Sequence, residues 1–188
     1  TDIASECNQS QKHDGTAEGS GYTHRYSGSG AYVYAWDVAS IRNTKIRDLR
    51  IKLNGGWYYQ NNIVLAGGTG PTNNNHLINC VVVAEKLASG YGTIGVGHAN
   101  AAGGSRVFNN IIICRVSTKY GIGTALAYTD TVGEQSLIYN NTIYGTFTIC
   151  GLYVESWGSG GLPHSQYGDH YKNNLIVNLH PTAPDVLF

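Results

Sequence analysis

Methionine is absent from these 188 residues, and proline occurs only four times. The missing Met, an initiator included, leads to the expectation that Thr1 is not the natural start and that the chain is a processed or excised piece. Charge is scarce. Asp, Glu, Lys and Arg make up 13% of the sequence, as 12 acidic and 12 basic residues that cancel. A balanced chain argues against nucleic-acid binding driven by phosphate neutralisation. No apolar run approaches the ~18 residues that a membrane-spanning helix needs, and no signal peptide is visible.

What the chain has is glycine, at 25 residues, tyrosine, at 14, and a repeat. Five segments carry the pattern apolar-x-(Asn/Asp/Cys)-x-x-apolar, beginning at Ile46, Ile78, Phe108, Ile138 and Tyr171, at intervals of 32, 30, 30 and 33 residues. A fixed period of this size marks stacked supersecondary units, each stabilised by its neighbours. The repeats are short, rich in β-branched and aromatic residues and bounded by Gly and Asn, which specifies strands and turns rather than helices. A second apolar column follows in each unit at Ile63, Ile94, Thr124 and Leu152, with Tyr32-Val33-Tyr34 fitting as an incomplete preceding unit. Two or three short strands per period describe a parallel β-solenoid. The spacing predicts that Ile46, Ile78, Phe108, Ile138 and Tyr171 stack in one inward column, and Ile51, Val83, Ile113, Ile143 and Ile176 in another. The third repeat position (Asp48, Cys80, Asn110, Asn140, Asn173) is expected to stack its side-chain amides from unit to unit.

These xNNxI repeats, followed by Gly-Ile or Gly-Leu segments, resemble the right-handed parallel β-helix repeat proteins of the pectate-lyase-like superfamily. The likeness covers residues 22–178. Lys12-His13-Asp14-Gly15-Thr16 with Gly19-Ser20-Gly21-Tyr22 is similar to the opening segment of uncharacterised β-helix proteins of bacteriophages and environmental viruses. The resemblance implies an all-β chain folded as a right-handed parallel β-helix of about five to six rungs. It is specific for fold and says little about activity, since the superfamily includes polysaccharide lyases, glycoside hydrolases, phage tailspikes, adhesins and inert virion parts. The chain divides into a polar Gly/Ser-rich lead-in at 1–30, a β-helix body at 31–178 and a C-terminal tail at 179–188.

The four cysteines do not form a disulfide framework. Cys80 lies in the Asn column, Cys114 closes an apolar run and Cys150 precedes the second column, so they face different directions and are expected as buried or half-buried free thiols. Cys7 sits in the lead-in with no identified partner. Gly90-Tyr91-Gly92-Thr93-Ile94-Gly95 satisfies GxGxxG, but Val96-Gly97-His98-Ala99-Asn100 follows instead of a helix-forming run, so it is not a nucleotide loop. The sequons at Asn8 and Asn140 are short enough to arise by chance, and a glycan at Asn140 would disturb the stacking.

Stacking the second column in register gathers the candidate chemistry. Four residues after Ile94, Thr124 and Leu152 come His98, Tyr128 and Ser156, with Ala127 beside Glu155 one residue earlier. At ~4.8 Å between strands, His98, Tyr128, Glu155 and Trp157 are expected to line one surface. Asp130 and Glu155 are the pair an enzyme would use, one as acid and the other as base or nucleophile. The plainer assignment makes Asp130 a turn residue within Thr129-Asp130-Thr131-Val132-Gly133-Glu134. A second cluster, His164, Asp169 and His170, belongs to a long insertion and lacks a metal-binding spacing such as HExxH; these residues are binding candidates for a glycan or protein rather than metal ligands, and the plainer assignment makes them part of an ordinary loop. No cofactor is expected.

Lyases of the resembled superfamily rely on Ca²⁺ held by several carboxylates with an Arg or Lys base, and hydrolases on a tight acidic group. Here the acidic residues of the body, Asp37, Asp48, Glu85, Asp130, Glu134, Glu155 and Asp169, are scattered. The expectation is therefore a non-catalytic structural or surface-displayed β-helix, a phage or virus virion component such as a capsid decoration, fibre or tailspike module, on the virion surface or extracellular. Its expected partners are other virion subunits or further copies of itself, and surface polysaccharide, with neither nucleic acid nor membrane. The alternatives are a polysaccharide-degrading enzyme using Asp130 and Glu155, and a bacterial surface adhesin.

Overall fold

In each repeat a short strand meets a corner built on an asparagine or aspartate in the left-handed region. Asp48, Asn79, Asn109, Asn140 and Asn173 have φ values of 62°, 51°, 57°, 57° and 53°. Asn and Asp tolerate this conformation better than other residues with a side chain, because the short polar group can bond locally. One residue follows each corner, and the next starts a second strand. The computed structural model describes residues 3–5, 15, 23–26, 36–37, 43–54, 63–65, 74–86, 92–96, 105–125, 136–155 and 170–187.

Among the described residues the protein is all-β, with parallel strands in two sheets and no helix. The first sheet contains β1 (Ile3–Ser5), β4 (Thr44–Arg47), β7 (His76–Ile78), β10 (Arg106–Phe108), β12 (Leu137–Tyr139) and β14 (His170–Lys172), paired in that order. The second holds β2 (Thr23–Tyr26), β5 (Arg50–Asn54), β8 (Val81–Lys86), β11 (Ile111–Ala125), β13 (Thr142–Glu155) and β15 (Leu175–Asn178). The later halves of β11 and β13 carry further strands of that sheet. β9 (Gly92–Val96) pairs with β11 and in turn with β6 (Ile63–Val64), which pairs with β3 (Trp36–Asp37). β16 (Val186–Leu187) pairs with β13. Strands thus occur within 1–30 and within 179–188 as well as between them.

Register fixes the core. In the first sheet Ile46, Leu77, Val107, Ile138 and Tyr171 are successive partners. In the second, Ile51, Val82, Ile112, Ile143 and Ile176 are. The first four of each column are buried in one apolar cluster, against which Tyr171 and Ile176 pack. Ile63, Ile122 and Leu152 enter the same cluster. The inward position of Gly145 admits no side chain, since a Cβ there would meet the Cβ of Cys114 at 2.6 Å.

Two expected columns are corrected by one residue in the middle units. Leu77 and Val107 occupy the places predicted for Ile78 and Phe108, and Val82 and Ile112 those predicted for Val83 and Ile113. The core period is therefore 31, 30, 31 and 33 residues. The apolar pairs Leu77-Ile78 and Val107-Phe108, each followed by a polar doublet, satisfy the repeat pattern in either frame. A one-residue slip moves a strand's side chains to the opposite face. The second column is corrected as well: Ile122, not Thr124, is the partner of both Ile94 and Leu152. Trp36 precedes Ile63 in that column, and Tyr32-Val33-Tyr34 lies outside the described residues.

The expected single Asn column is two columns. Asp48, Asn140 and Asn173 are corner residues, whereas Cys80 and Asn110 belong with Asn141 and Asn174 in a largely buried ladder just inside them. In the ladder each carboxamide oxygen accepts from the previous unit: Asn110 from the Cys80 N–H at 2.9 Å, Asn141 from Asn110 N–H and Nδ2 at 3.1 and 3.0 Å, Asn174 from Asn141 N–H and Nδ2 at 3.1 and 3.0 Å. Each Nδ2 also donates to a strand carbonyl, Asn110 to Leu77 at 3.0 Å, Asn141 to Val107 at 2.9 Å and Asn174 to Ile138 at 2.8 Å. The ladder oxygens thereby give the backbone N–H groups just past the corners an acceptor.

Candidate functional site

Of the residues expected to form a site, His98, Tyr128, Asp130, Trp157, His164 and Asp169 lie outside the described residues. Glu155 ends β13, with its Cα opposite Ala125 of β11. That pairing corrects the register used to gather the candidates, which put Ala127 beside Glu155. Ile122 and Thr124 lie on the same face of one strand, two residues apart, so alternation alone does not tell them apart. His170 opens β14 opposite Leu137, is exposed, and donates its backbone N–H to the Ser136 carbonyl at 3.0 Å.

Cys80, Cys114 and Cys150 are buried thiols outside any disulfide, as their positions in separate columns predict, and Cys7 lies outside the described residues. Burial pushes the Cys80 thiol up to about 12, so it stays protonated at neutral pH and is a poor nucleophile. It replaces a ladder amide, with Sγ 3.8 Å from the Ile46 carbonyl and 3.3 Å from that of Ile78. Among the described residues no group of three or more His, Cys, Asp and Glu side chains is placed to hold a metal ion.

Charge is distributed unequally between the two sheets. On the second, Glu85 Oε1 lies 3.4 Å from Lys52 Nζ and 3.8 Å from Arg115 Nη1, which places an acid between two bases on adjoining strands. On the first, the residues flanking the inward column form two outward columns, Lys45–His76–Arg106–Leu137–His170 and Arg47–Ile78–Phe108–Tyr139–Lys172. None of the six strands of this sheet contains Asp or Glu. The corner residue Asp48 has its Oδ2 3.9 Å from Arg47 Nε. Phe108 and Tyr139 stack with centroids 5.2 Å apart and planes 8° from parallel. His76 is held well below the ordinary imidazole range, at about 4, by burial and then by the positive charges of Arg106 and Lys45. It is therefore neutral at pH 7, and its Nε2 lies 2.7 Å from Asn74 Oδ1.

Sequence reasoning did not single out this face. Its signal was the Lys, Arg and His residues one or three before a corner residue, legible only once the corner is assigned to the first member of each polar doublet. Comparison with family models, with curated proteins and with solved structures returns no match.

Proposed function

We propose that the chain is a right-handed parallel β-helix serving as a non-catalytic structural or surface-displayed module, of the kind a phage or virus particle carries as a capsid decoration, fibre or tailspike module. The winding is supported by the pairing of each strand with its counterpart one period later, and its hand by the rule that parallel crossover connections are right-handed in about 98% of cases. The assignment to a virion surface rests on the opening segment around Lys12–Thr16.

The observation that carries a role in assembly is the last unit of the stack. Leu175 is 60% exposed, Leu179 53% and Val177 38%, with exposed Tyr144 opposite Val177 on the preceding strand. Contiguous apolar surface of this kind, at the edge of a parallel sheet, marks a contact face, and an uncovered edge invites further pairing. Other virion subunits or further copies of the chain cover that end.

Sedimentation of the 188-residue chain tests the assembly. An oligomer is expected, converted to monomer by Leu175→Lys with Val177→Lys; a stable wild-type monomer would contradict it. Incubation with a panel of bacterial surface polysaccharides tests the absence of catalysis. No reducing ends should appear, whereas release that is lost in Glu155→Gln would favour the carbohydrate-active enzyme with Asp130 and Glu155 at its centre.

A further inference from the structure

We propose that the open end of the stack takes up one further unit from a different subunit, recognised through backbone groups that the last corner leaves without partners. The unit that fits carries the motif apolar-x-(Asn/Asp)-Asn-x-apolar. In the four preceding corners the first member of the doublet donates its N–H to a strand carbonyl of the next unit: Asp48 to Ile78 at 3.2 Å, Asn79 to Phe108 at 3.1 Å, Asn109 to Tyr139 at 3.3 Å and Asn140 to Lys172 at 3.0 Å. Cys80, Asn110 and Asn141, the second members, donate theirs to the next ladder carboxamide. Their carbonyls accept from the next unit's second strand, as Asn110 does from Thr142 and Asn141 from Leu175, both at 2.8 Å. The fifth corner repeats the geometry, with Asn173 at φ 53°. Among the described residues, however, the N–H groups of Asn173 and Asn174 and the Asn174 carbonyl have no such partner.

The apolar surroundings point to the same occupant. The inward residues of the last unit, Tyr171, Ile176 and Val186, are half-buried, whereas their partners Ile138, Ile143 and Leu152 are 0%, 0% and 2% exposed. The core therefore ends uncovered. Apolar residues at the two inward places of an added unit close it, and a carboxamide at the second doublet position accepts from the Asn174 N–H. Further copies of this chain do not supply that unit. Asp48 and Leu49 alone join β4 to β5, but in the first unit β1 ends at Ser5 and β2 begins at Thr23, so a copy stacked in line presents no two-residue corner. A copy turned end to end sets the same two N–H donors against each other. Leu175 and Val177 flank the inward Ile176 and point outward, so self-association through them leaves the corner's backbone groups, which face along the stack, available.

This inference rests on the reading of the chain as an assembling structural module and deepens it by naming the partner's motif; the test keeps the two apart. The probe is a synthetic peptide with the sequence of residues 170–178, the segment seated on the Asn140–Asn141 corner. Added to the isotopically labelled chain, it should slow amide hydrogen exchange at Asn173 and Asn174 and leave Asn140 and Asn141 unchanged. The same peptide carrying Asn174→Ala offers no acceptor to the chain's Asn174 N–H and should bind roughly tenfold more weakly. Equal protection by both peptides would reduce the contact to apolar adhesion and overturn the proposal. Slow exchange at Asn173 and Asn174 before any peptide is added would also overturn it. An oligomeric chain whose corner is unaffected by the parent peptide would overturn it and leave the assembly reading standing. A monomeric chain protected there by the parent peptide would support the proposal and overturn self-association alone.

Discussion

At the scale of single residues, the polar doublet at each corner divides two tasks. The first member accepts a left-handed backbone; the second turns its carboxamide inward and bonds both to the neighbouring unit's corner and to a strand carbonyl. Asn110→Ala would strip the Cys80 N–H of its acceptor and the Leu77 carbonyl of a donor, both at buried positions. At about 1–3 kcal/mol for the orphaned N–H, a loss of that size is expected in chemical denaturation. Cys80→Asn should act in the opposite direction, because the amide could replace the weak thiol contact to Ile46 with an N–H donor. A gain of about 1 kcal/mol is expected, and a lower denaturation midpoint would show that the thiol is fitted to its site.

His76 gives the residue scale a pH dependence. Its folded-state value of about 4 lies below the ordinary 6.5, so both states are neutral above pH 6.5. As pH falls from 6.5 towards 4, the unfolded chain takes up a proton that the folded chain resists, and stability is lost. Urea midpoints measured across that window should fall more for the parent than for His76→Gln. Parallel curves would mean that the imidazole is protonated with little cost beside Lys45 and Arg106.

At the scale of strands, register decides which of two adjacent apolar residues is core. Ile112 is completely buried, whereas Ile111 and Ile113 beside it are half-buried. A frame with Ile113 inward would put the position intolerant of charge at 113; the observed frame puts it at 112. Ile112→Asp should abolish the folded circular-dichroism signal, because a buried charge has no partner there. Ile113→Asp should leave a folded, weaker protein. If the two behaved alike, the strand would not hold the register described.

The element scale also shows where the sequence could be read and where it could not. The period and the all-β character were legible because Asn, Gly and β-branched residues recur with the same spacing in each unit. The frame within each unit was not, because Asn109-Asn110 and Asn79-Cys80 offer two equally polar positions while only backbone conformation tells corner from ladder. The candidate pair inherited that ambiguity: a slip from Ile122 to Thr124 placed Ala127, in place of Ala125, beside Glu155. The cationic face was hidden for the same reason, since its columns come into view only after β7 and β10 are shifted by one.

At the scale of the whole molecule, parallel in-register pairing gives the chain repeated, nearly identical surfaces. One sheet holds cations on alternate strands, the other balances an acid between two bases, and the final unit leaves Leu175, Val177 and Leu179 open. Such a molecule suits display and assembly, since each unit rests mainly on its neighbours and adjoining units extend the same face. The central claim is that one right-handed coil generates all of this. A crystal structure of the chain tests it most directly. The account predicts a right-handed winding in which Ile46, Leu77, Val107, Ile138 and Tyr171 stack inward at ~4.8 Å steps beside a continuous Cys80–Asn110–Asn141–Asn174 ladder. A left-handed winding, or an inward column containing Ile78 and Phe108, would contradict it.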